Sequence, residues 1–134
     1  MSQKKFDIYL SYSHQDHTWV SQFVHALTDA GLCVSFDPAD ILPGERWQER
    51  MADALRQSNI LIVILSKSSV NSPWMFFEIG AAVAGDKFII PLLIDDTDML
   101  EVPMPIAQFQ ILRENVPSVA ASSIAGVLGK MAKG

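Results

Sequence analysis

Residues 59–65 read Asn-Ile-Leu-Ile-Val-Ile-Leu, and this stretch decides the fold. Its six consecutive apolar residues leave a strand no polar side that could face solvent. Unbroken apolar runs of this kind are typical of a parallel sheet whose two faces are both covered. Residues 59–65 are therefore predicted to form a buried central strand, with further strands beside it and helices on both faces.

Outward from this strand, strand-like and helix-like patterns alternate along the chain. Apolar segments rich in strand formers predict four further strands at residues 6–11, 32–36, 87–94 and 109–112. Apolar residues at helical spacing predict helices at residues 18–31, 45–57, 72–85 and 119–131. Pro91 lacks a backbone donor, which predicts a bulge or an unpaired stretch in the fourth strand. Residues 95–107 are predicted to be an irregular connection with at most a short helix.

Five strands that alternate with helices predict an α/β domain with a parallel sheet. We expect the flavodoxin-like strand order 2-1-3-4-5, with helices on both faces. In that order the direction in which strands are added to the sheet reverses between strands 1 and 3, and ligands bind at the carboxyl ends of the strands there. The loops after these two strands, residues 12–16 and 66–72, should therefore line a crevice.

Composition limits the class of protein. The 134 residues are 49% hydrophobic and 19% charged, which predicts one globular domain over residues 1–134. A net charge of −5 provides no basic surface for nucleic acid. Cys33 is the single cysteine, which excludes an internal disulfide and favours the reducing cytoplasm. No apolar run is long enough for a membrane span, and we expect a domain excised from a longer chain.

One carboxylate stands out in the helix predicted at residues 72–85. Glu78 is its only charged residue between positions 72 and 84, and it lies four positions after Trp74, so both share one helix face. Burying a carboxylate in an apolar helix is unfavourable unless it has a partner or a use. We expect Glu78 at the mouth of the crevice; the alternative is a structural ion pair with a nearby Arg or Lys.

Three motifs stand in order along the chain: residues 6–13 with Asp16 after them, residues 37–44, and Trp74-x-x-x-Glu78. Through these motifs the chain resembles the TIR domain family over essentially its whole length. Residues 6–13, followed by Asp16, resemble the family's opening box, and residues 37–44 resemble its long loop after the second strand. The pattern Trp74-x-x-x-Glu78 is similar to that of the enzymatic branch, whose members cleave NAD. The Phe-Trp box of animal receptors has no clear counterpart, which favours a bacterial or similar enzymatic member.

The resemblance implies that Glu78 is the catalytic residue of an NAD+ glycohydrolase or cyclase. Nicotinamide leaves as a neutral molecule, so no acid is required, and one carboxylate can stabilise the positive charge that develops on the ribose. NAD+ is then the substrate, and no cofactor is expected. The predicted substrate-binding residues are Trp74, Tyr12, Ser11, Ser13, Asp37, Trp47 and Lys67. For Tyr12 the alternative is packing alone, and for Lys67 it is a solvated surface position.

The loop at residues 37–46 predicts a protein partner. Ile41 and Leu42 are adjacent apolar residues that a loop can hardly bury internally, and Pro43 and Gly44 follow them. Exposed apolar residues beside a site commonly mark a protein contact. The resemblance adds that such loops dock on a neighbouring TIR domain and can complete its active site. Self-association, as a homo-oligomer or filament, is therefore expected.

An α/β domain of this kind could also serve other functions. The histidines and Cys33 match no zinc-binding spacing, so no metal site is expected. A phospho-receiver would need an acceptor Asp after the third strand, where Ser66 stands. A non-catalytic module that acts only through TIR–TIR contacts remains an alternative. So does a nucleoside deoxyribosyltransferase, which shares the architecture and uses a carboxylate at the sugar.

Overall fold

The computed structural model describes residues 7–35, 57–70, 83, 85–102 and 109–133. These residues form the strands β1 (Asp7–Ser11), β2 (Cys33–Ser35), β3 (Ile60–Leu65), β4 (Phe88–Leu93) and β5 (Leu112–Arg113). They also form the helices α1 (His17–Asp29) and α2 (Pro117–Lys133), with short 3-10 helices at His14–Asp16 and Met99–Glu101. Most of the helices predicted at 45–57 and 72–85 lies outside the described residues.

The strands form one parallel sheet in the order β2-β1-β3-β4-β5, which confirms the predicted order. β3 lies at its centre. It pairs with β1 from Ile60 to Val63 and with β4 along its whole length. β2 lies on one side of β1, and β3, β4 and β5 lie on the other. The direction in which strands are added to the sheet therefore reverses between β1 and β3, as the flavodoxin-like fold requires.

Alternation along β3 divides the core between the two faces of the sheet. Its isoleucines at positions 60, 62 and 64 join one cluster, to which α1 and α2 contribute Phe23, Leu27 and Ile124. Leu61, Val63 and Leu65 point to the opposite face and pack with Val70 and Val102. All six β3 residues are buried. Both faces of the central strand are therefore covered, as the unbroken apolar run predicted.

Helix α1 ends in a Schellman motif. Gly31 has φ +88°, its N–H donates to the carbonyl of Thr28, and the N–H of Leu32 donates to the carbonyl of Leu27. This left-handed conformation favours glycine. At its other end, α1 is tied to the start of α2 because the indole N–H of Trp19 donates to the carbonyl of Asn115 at 2.8 Å.

The bulge considered at Pro91 is absent, because the β3–β4 register runs without interruption from Phe88 to Leu93. The N–H groups of Phe88 and Ile94 donate toward the β3 side. The backbone N–H groups of successive residues in a strand point to alternate sides. A residue at position 91 would therefore donate toward β5 and not toward β3. There, pairing with β5 begins only at Leu92. The missing donor therefore falls where the ladder needs none.

The fifth strand was predicted three residues too early, at 109–112 instead of Leu112–Arg113. Phe109 and Ile111 are instead partly buried against the core cluster that contains Leu61. Their apolar side chains indicated burial correctly, but burial against a sheet face does not require strand pairing. No helix in the described ranges combines the length and apolar character needed to span a bilayer.

Candidate functional site

The loops that follow β1, β3 and β4 meet at the carboxyl edge of the sheet. β1 leads into Tyr12, β3 into Ser66 and β4 into Ile94 and Asp95. Because β1 and β3 are neighbours whose connections leave in opposite directions, a crevice at this edge is the expected ligand position. The described part of the site consists of these three loops and the hydrogen bonds between them.

Two side-chain hydrogen bonds join the loops after β1 and β3. The hydroxyl of Ser66 donates to Asp16 Oδ2 at 2.5 Å. Next to it, the hydroxyl of Ser68 donates to Gln15 Oε1 at 2.7 Å. The partners in each pair are about fifty positions apart in the chain. These bonds therefore fix the relative position of two loops that are far apart in the sequence.

Ser66 is held in place from several directions. It is buried, and its N–H donates to Ser69 Oγ at 2.9 Å. The Ser69 hydroxyl donates in turn to the carbonyl of Ile64 at 2.8 Å. The N–H of Ser68 donates to Ser66 Oγ at 3.2 Å. Ser66 Oγ therefore accepts one hydrogen bond, and the shortest contact for its own proton is Asp16 Oδ2.

Asp16 precedes α1 as its N-cap residue, but its side chain makes no capping hydrogen bond. A capping Asp typically contributes about 1 kcal/mol to helix stability. Here the carboxylate reaches across to Ser66 instead. Burial raises the pKa of Asp16, the Ser66 hydrogen bond lowers it, and the negative charge of Asp95 raises it, with a net upward shift. Ionisation of Asp16 is thus less favourable at this position than in solvent.

A second tie joins the loops after β3 and β4. Asp95 accepts hydrogen bonds from the Lys67 N–H at 2.9 Å and from the N–H and hydroxyl of Thr97 at 3.0 and 2.5 Å. Burial alone would raise the pKa of Asp95, but these hydrogen bonds outweigh it and lower the pKa. Arg113 extends the tie to β5 by donating to the carbonyl of Thr97 at 2.9 Å. The three described loops, after β1, β3 and β4, are thereby linked to one another.

Four predicted substrate-binding residues lie in the described part of this edge. Tyr12 packs against the core cluster beneath α1 and α2, and its ring meets His14 edge-on. Ser13 caps the first 3-10 helix by accepting the Gln15 N–H at 3.4 Å. Lys67 is exposed and pairs with Asp96 at 3.1 Å, and its hydrogen bond to Asp96 raises its pKa. Ser11 is buried at the end of β1.

The remaining predicted residues lie outside the described part of the chain. They are the catalytic Glu78, the substrate-binding residues Trp74, Asp37 and Trp47, and the loop residues Ile41, Leu42, Pro43 and Gly44. Their roles stay predictions.

Sequence reasoning did not select Asp16, Ser66 or Asp95 as site residues. One signal was available, since each lies in a short polar segment after a predicted strand of a parallel sheet. Within the described ranges, no three His, Cys, Asp or Glu side chains lie close enough together to hold a metal ion.

A family model described as TIR domain matches residues 8–118 of this chain. The chain belongs to the TIR domain family.

Several curated relatives of this TIR domain share one name. A probable 2' cyclic ADP-D-ribose synthase from Methanobrevibacter olleyae is 26% identical over 114 residues, which are 79% of this chain and 33% of the relative. One from Brachypodium distachyon is 26% identical over 113 residues, 81% of this chain and 50% of the relative. A 2' cyclic ADP-D-ribose synthase from Acinetobacter baumannii is 24% identical over 125 residues, 88% of this chain and 46% of the relative. This chain therefore spans a third to a half of their lengths.

Solved structures share the fold at low sequence identity. The TIR domain of the Toll-related receptor TRR-2 from Hydra magnipapillata has a TM-score of 0.76 at 21% identity, over 97% of this chain and 100% of that one. A TIR domain in the heterodimer of RPS4 and RRS1 has a TM-score of 0.70 at 13% identity, over 95% and 97% of the two chains. A 2-desoxiribosyltransferase from Leishmania mexicana has a TM-score of 0.69 at 16% identity, over 92% and 98%.

Proposed function

We propose that this TIR domain cleaves the nicotinamide–ribose bond of NAD+ and releases nicotinamide with ADP-ribose or a cyclic isomer of it. The observation that carries the proposal is the similarity to three proteins named as 2' cyclic ADP-D-ribose synthases, which extends over 79% to 88% of this chain. The pattern Trp74-x-x-x-Glu78 supports it, because it supplies the single carboxylate that the chemistry needs. We also propose that the chain is a bacterial or similar enzymatic member of the family, because the Phe-Trp box of animal receptors has no clear counterpart in it.

In the proposed reaction, the bond between the ribose anomeric carbon and the pyridinium nitrogen breaks. Its electron pair moves to the nitrogen, so nicotinamide leaves uncharged and the ribose acquires oxocarbenium character. Glu78 stabilises this positive charge electrostatically, as a carboxylate does in glycoside cleavage. Attack by water, with loss of a proton, then gives ADP-ribose; attack by a hydroxyl of the ADP-ribose itself gives a cyclic product. Trp74 offers an aromatic surface to the nicotinamide ring.

Incubation with NAD+ tests the proposal. Chromatography should show nicotinamide released in equal amount to ADP-ribose and its cyclic isomers together, and mass spectrometry distinguishes the linear product from the cyclic one by the water it contains. A parallel incubation with a deoxynucleoside and a free base tests for deoxyribosyl transfer. Base exchange without nicotinamide release from NAD+ would contradict the proposal and indicate the transferase.

A non-catalytic TIR–TIR interaction module is the second candidate. Its support is the fold similarity to a TIR domain solved as a heterodimer. Under this alternative, the purified chain would associate with itself or with other TIR domains and release no nicotinamide at any protein concentration. We also propose a cytoplasmic location, since the single thiol, Cys33, is free and exposed, as suits a reducing compartment.

A further inference from the structure

We propose that Asp16 and Ser66 are positioning residues for the site, because their hydrogen bond fixes the loops after β1 and β3 relative to each other. Neither residue is assigned contact with substrate. The inference rests on the proposed NAD+ cleavage, since both loops border the crevice where that reaction is expected.

The geometry gives this bond a bridging role. Asp16 belongs to the segment between β1 and α1, and Ser66 is the first residue after β3. Their bond crosses the crevice edge at 2.5 Å, and the Ser68–Gln15 bond runs beside it. The carboxylate is the only acceptor within 3.0 Å that the described contacts give the Ser66 hydroxyl. Without Asp16, this buried hydroxyl would lose its best partner.

Two simpler explanations for an aspartate at position 16 are weak. Helix capping is one, but the side chain makes no capping bond to α1. Stabilisation of the fold is the other. A half-buried carboxylate close to Asp95 disfavours the ionised folded state, and the upward shift in the pKa of Asp16 reflects this. The contact that remains to account for this aspartate is its hydrogen bond to Ser66 across the crevice edge.

The loop that Ser66 holds precedes the predicted catalytic residue in the sequence. The N–H groups of Ser69 and Val70 both donate to the carbonyl of Ser66, and Val70 is buried against the sheet. Residues 66–70 thus form a tight, anchored turn. Eight positions separate Val70 from Glu78. A shift of the turn would move the start of the segment that carries Glu78, and misplacing a reacting group by about 1 Å can lower a rate about 100-fold.

Four variants and two matched controls test the inference. Asp16→Ala removes the acceptor, Ser66→Ala removes the donor, a double variant removes both, and Asp16→Asn retains an oxygen that can accept. Asp29→Ala and Ser21→Ala change the same residue types at exposed positions of α1. For each protein, kcat and KM for NAD+ are measured well below its melting temperature. Hydrogen exchange of the amides at residues 66–70 is measured on the same samples.

We expect Asp16→Ala and Ser66→Ala each to lower kcat about tenfold to 100-fold, with KM changed much less, and to speed amide exchange at residues 66–70. The double variant should be no slower than the slower single variant, because both remove one bond. Asp16→Asn should recover most of the rate, and the controls should match the wild type.

Unchanged kcat per folded molecule, with or without a lower melting temperature, would overturn this inference but not the proposed function. So would unchanged exchange, or losses that add in the double variant. A wild type that releases no nicotinamide would overturn the proposed function and this inference with it.

Discussion

At the scale of single residues, Asp16 and Asp95 in the described part of the site have pKa values shifted in opposite directions. Asp16 is held where burial and the nearby charge of Asp95 outweigh one hydrogen bond, so its pKa is raised. Asp95 accepts three hydrogen bonds that outweigh its burial, so its pKa is lowered. Ionisation of Asp95 therefore stabilises the folded state, whereas ionisation of Asp16 destabilises it.

This difference predicts opposite pH dependences for two matched substitutions. A raised folded-state pKa means that ionised Asp16 destabilises the fold at pH values above that pKa, and the effect vanishes below the unfolded-state pKa, near 3.8. A lowered folded-state pKa means that Asp95 stabilises the fold above about 3.8, and this is lost as pH falls through the folded-state value. Asp16→Asn should therefore raise the free energy of unfolding at neutral pH, and Asp95→Asn should lower it, with both differences shrinking in acid.

Urea denaturation of the wild type and both variants, at neutral pH and at the lowest pH that keeps them folded, measures these differences. A shift of the same sign for both variants at neutral pH would contradict the assignment.

The residue scale is also where sequence reasoning was least complete. Lys67 is a predicted substrate-binding residue, and its ammonium group pairs with the exposed Asp96 at 3.1 Å. The pairing of Asp16 with Ser66 is not predictable from local sequence, because the two residues are 50 positions apart and meet only in the fold. Local patterns specify which segments reach the carboxyl edge, but they do not specify which side chains pair there.

At the scale of elements, the strands with the strongest apolar patterns were predicted best. β3 was predicted within one residue of its observed bounds, because an unbroken apolar run is typical of a strand with both faces buried. α1 was placed almost as closely because of its helical spacing and the glycine that ends it. β5 was misplaced because two strand-forming residues, Phe109 and Ile111, cover a sheet face instead. Element patterns therefore predict burial more reliably than pairing.

The central strand should also dominate stability. Ile62 is fully buried between β1 and β4. Ile62→Ala should lower the free energy of unfolding by about 2–5 kcal/mol, because it removes buried methyl groups and leaves a cavity. Leu100→Ala is the control: Leu100 is 91% exposed, so a change within about 0.5 kcal/mol is expected. Denaturant titration measures both, and similar losses in the two variants would contradict the role given to β3.

At the scale of the whole molecule, the order of the strands was predictable and the assembly was not. A parallel sheet of this order follows from alternating strands and helices, and the structure confirms it. Self-association was inferred from Ile41 and Leu42, which lie outside the described residues, and from the resemblance to TIR domains. It stays a prediction, and it concerns surfaces rather than the core.

Self-association predicts that specific activity rises with protein concentration, because a neighbouring domain would complete the site. The double substitution Ile41→Ser with Leu42→Ser should weaken this rise and leave the melting temperature unchanged. Met99 and Leu100 form another adjacent pair of exposed apolar residues, and their double substitution by serine is the control. Specific activity that stays constant over a hundred-fold concentration range, in the wild type and in the Ile41/Leu42 variant, would show that one domain suffices.

The most direct test of NAD+ cleavage by this domain is the rate of nicotinamide release by the Glu78→Gln variant. The control is Asp29→Asn, a carboxylate-to-amide change in the last turn of α1, on an exposed side chain. Removing one electrostatic contact to the transition state lowers a rate about 10²- to 10³-fold. We expect that loss in Glu78→Gln, with an unchanged melting temperature, and a wild-type rate in Asp29→Asn. Wild-type turnover by a folded Glu78→Gln protein would contradict the account.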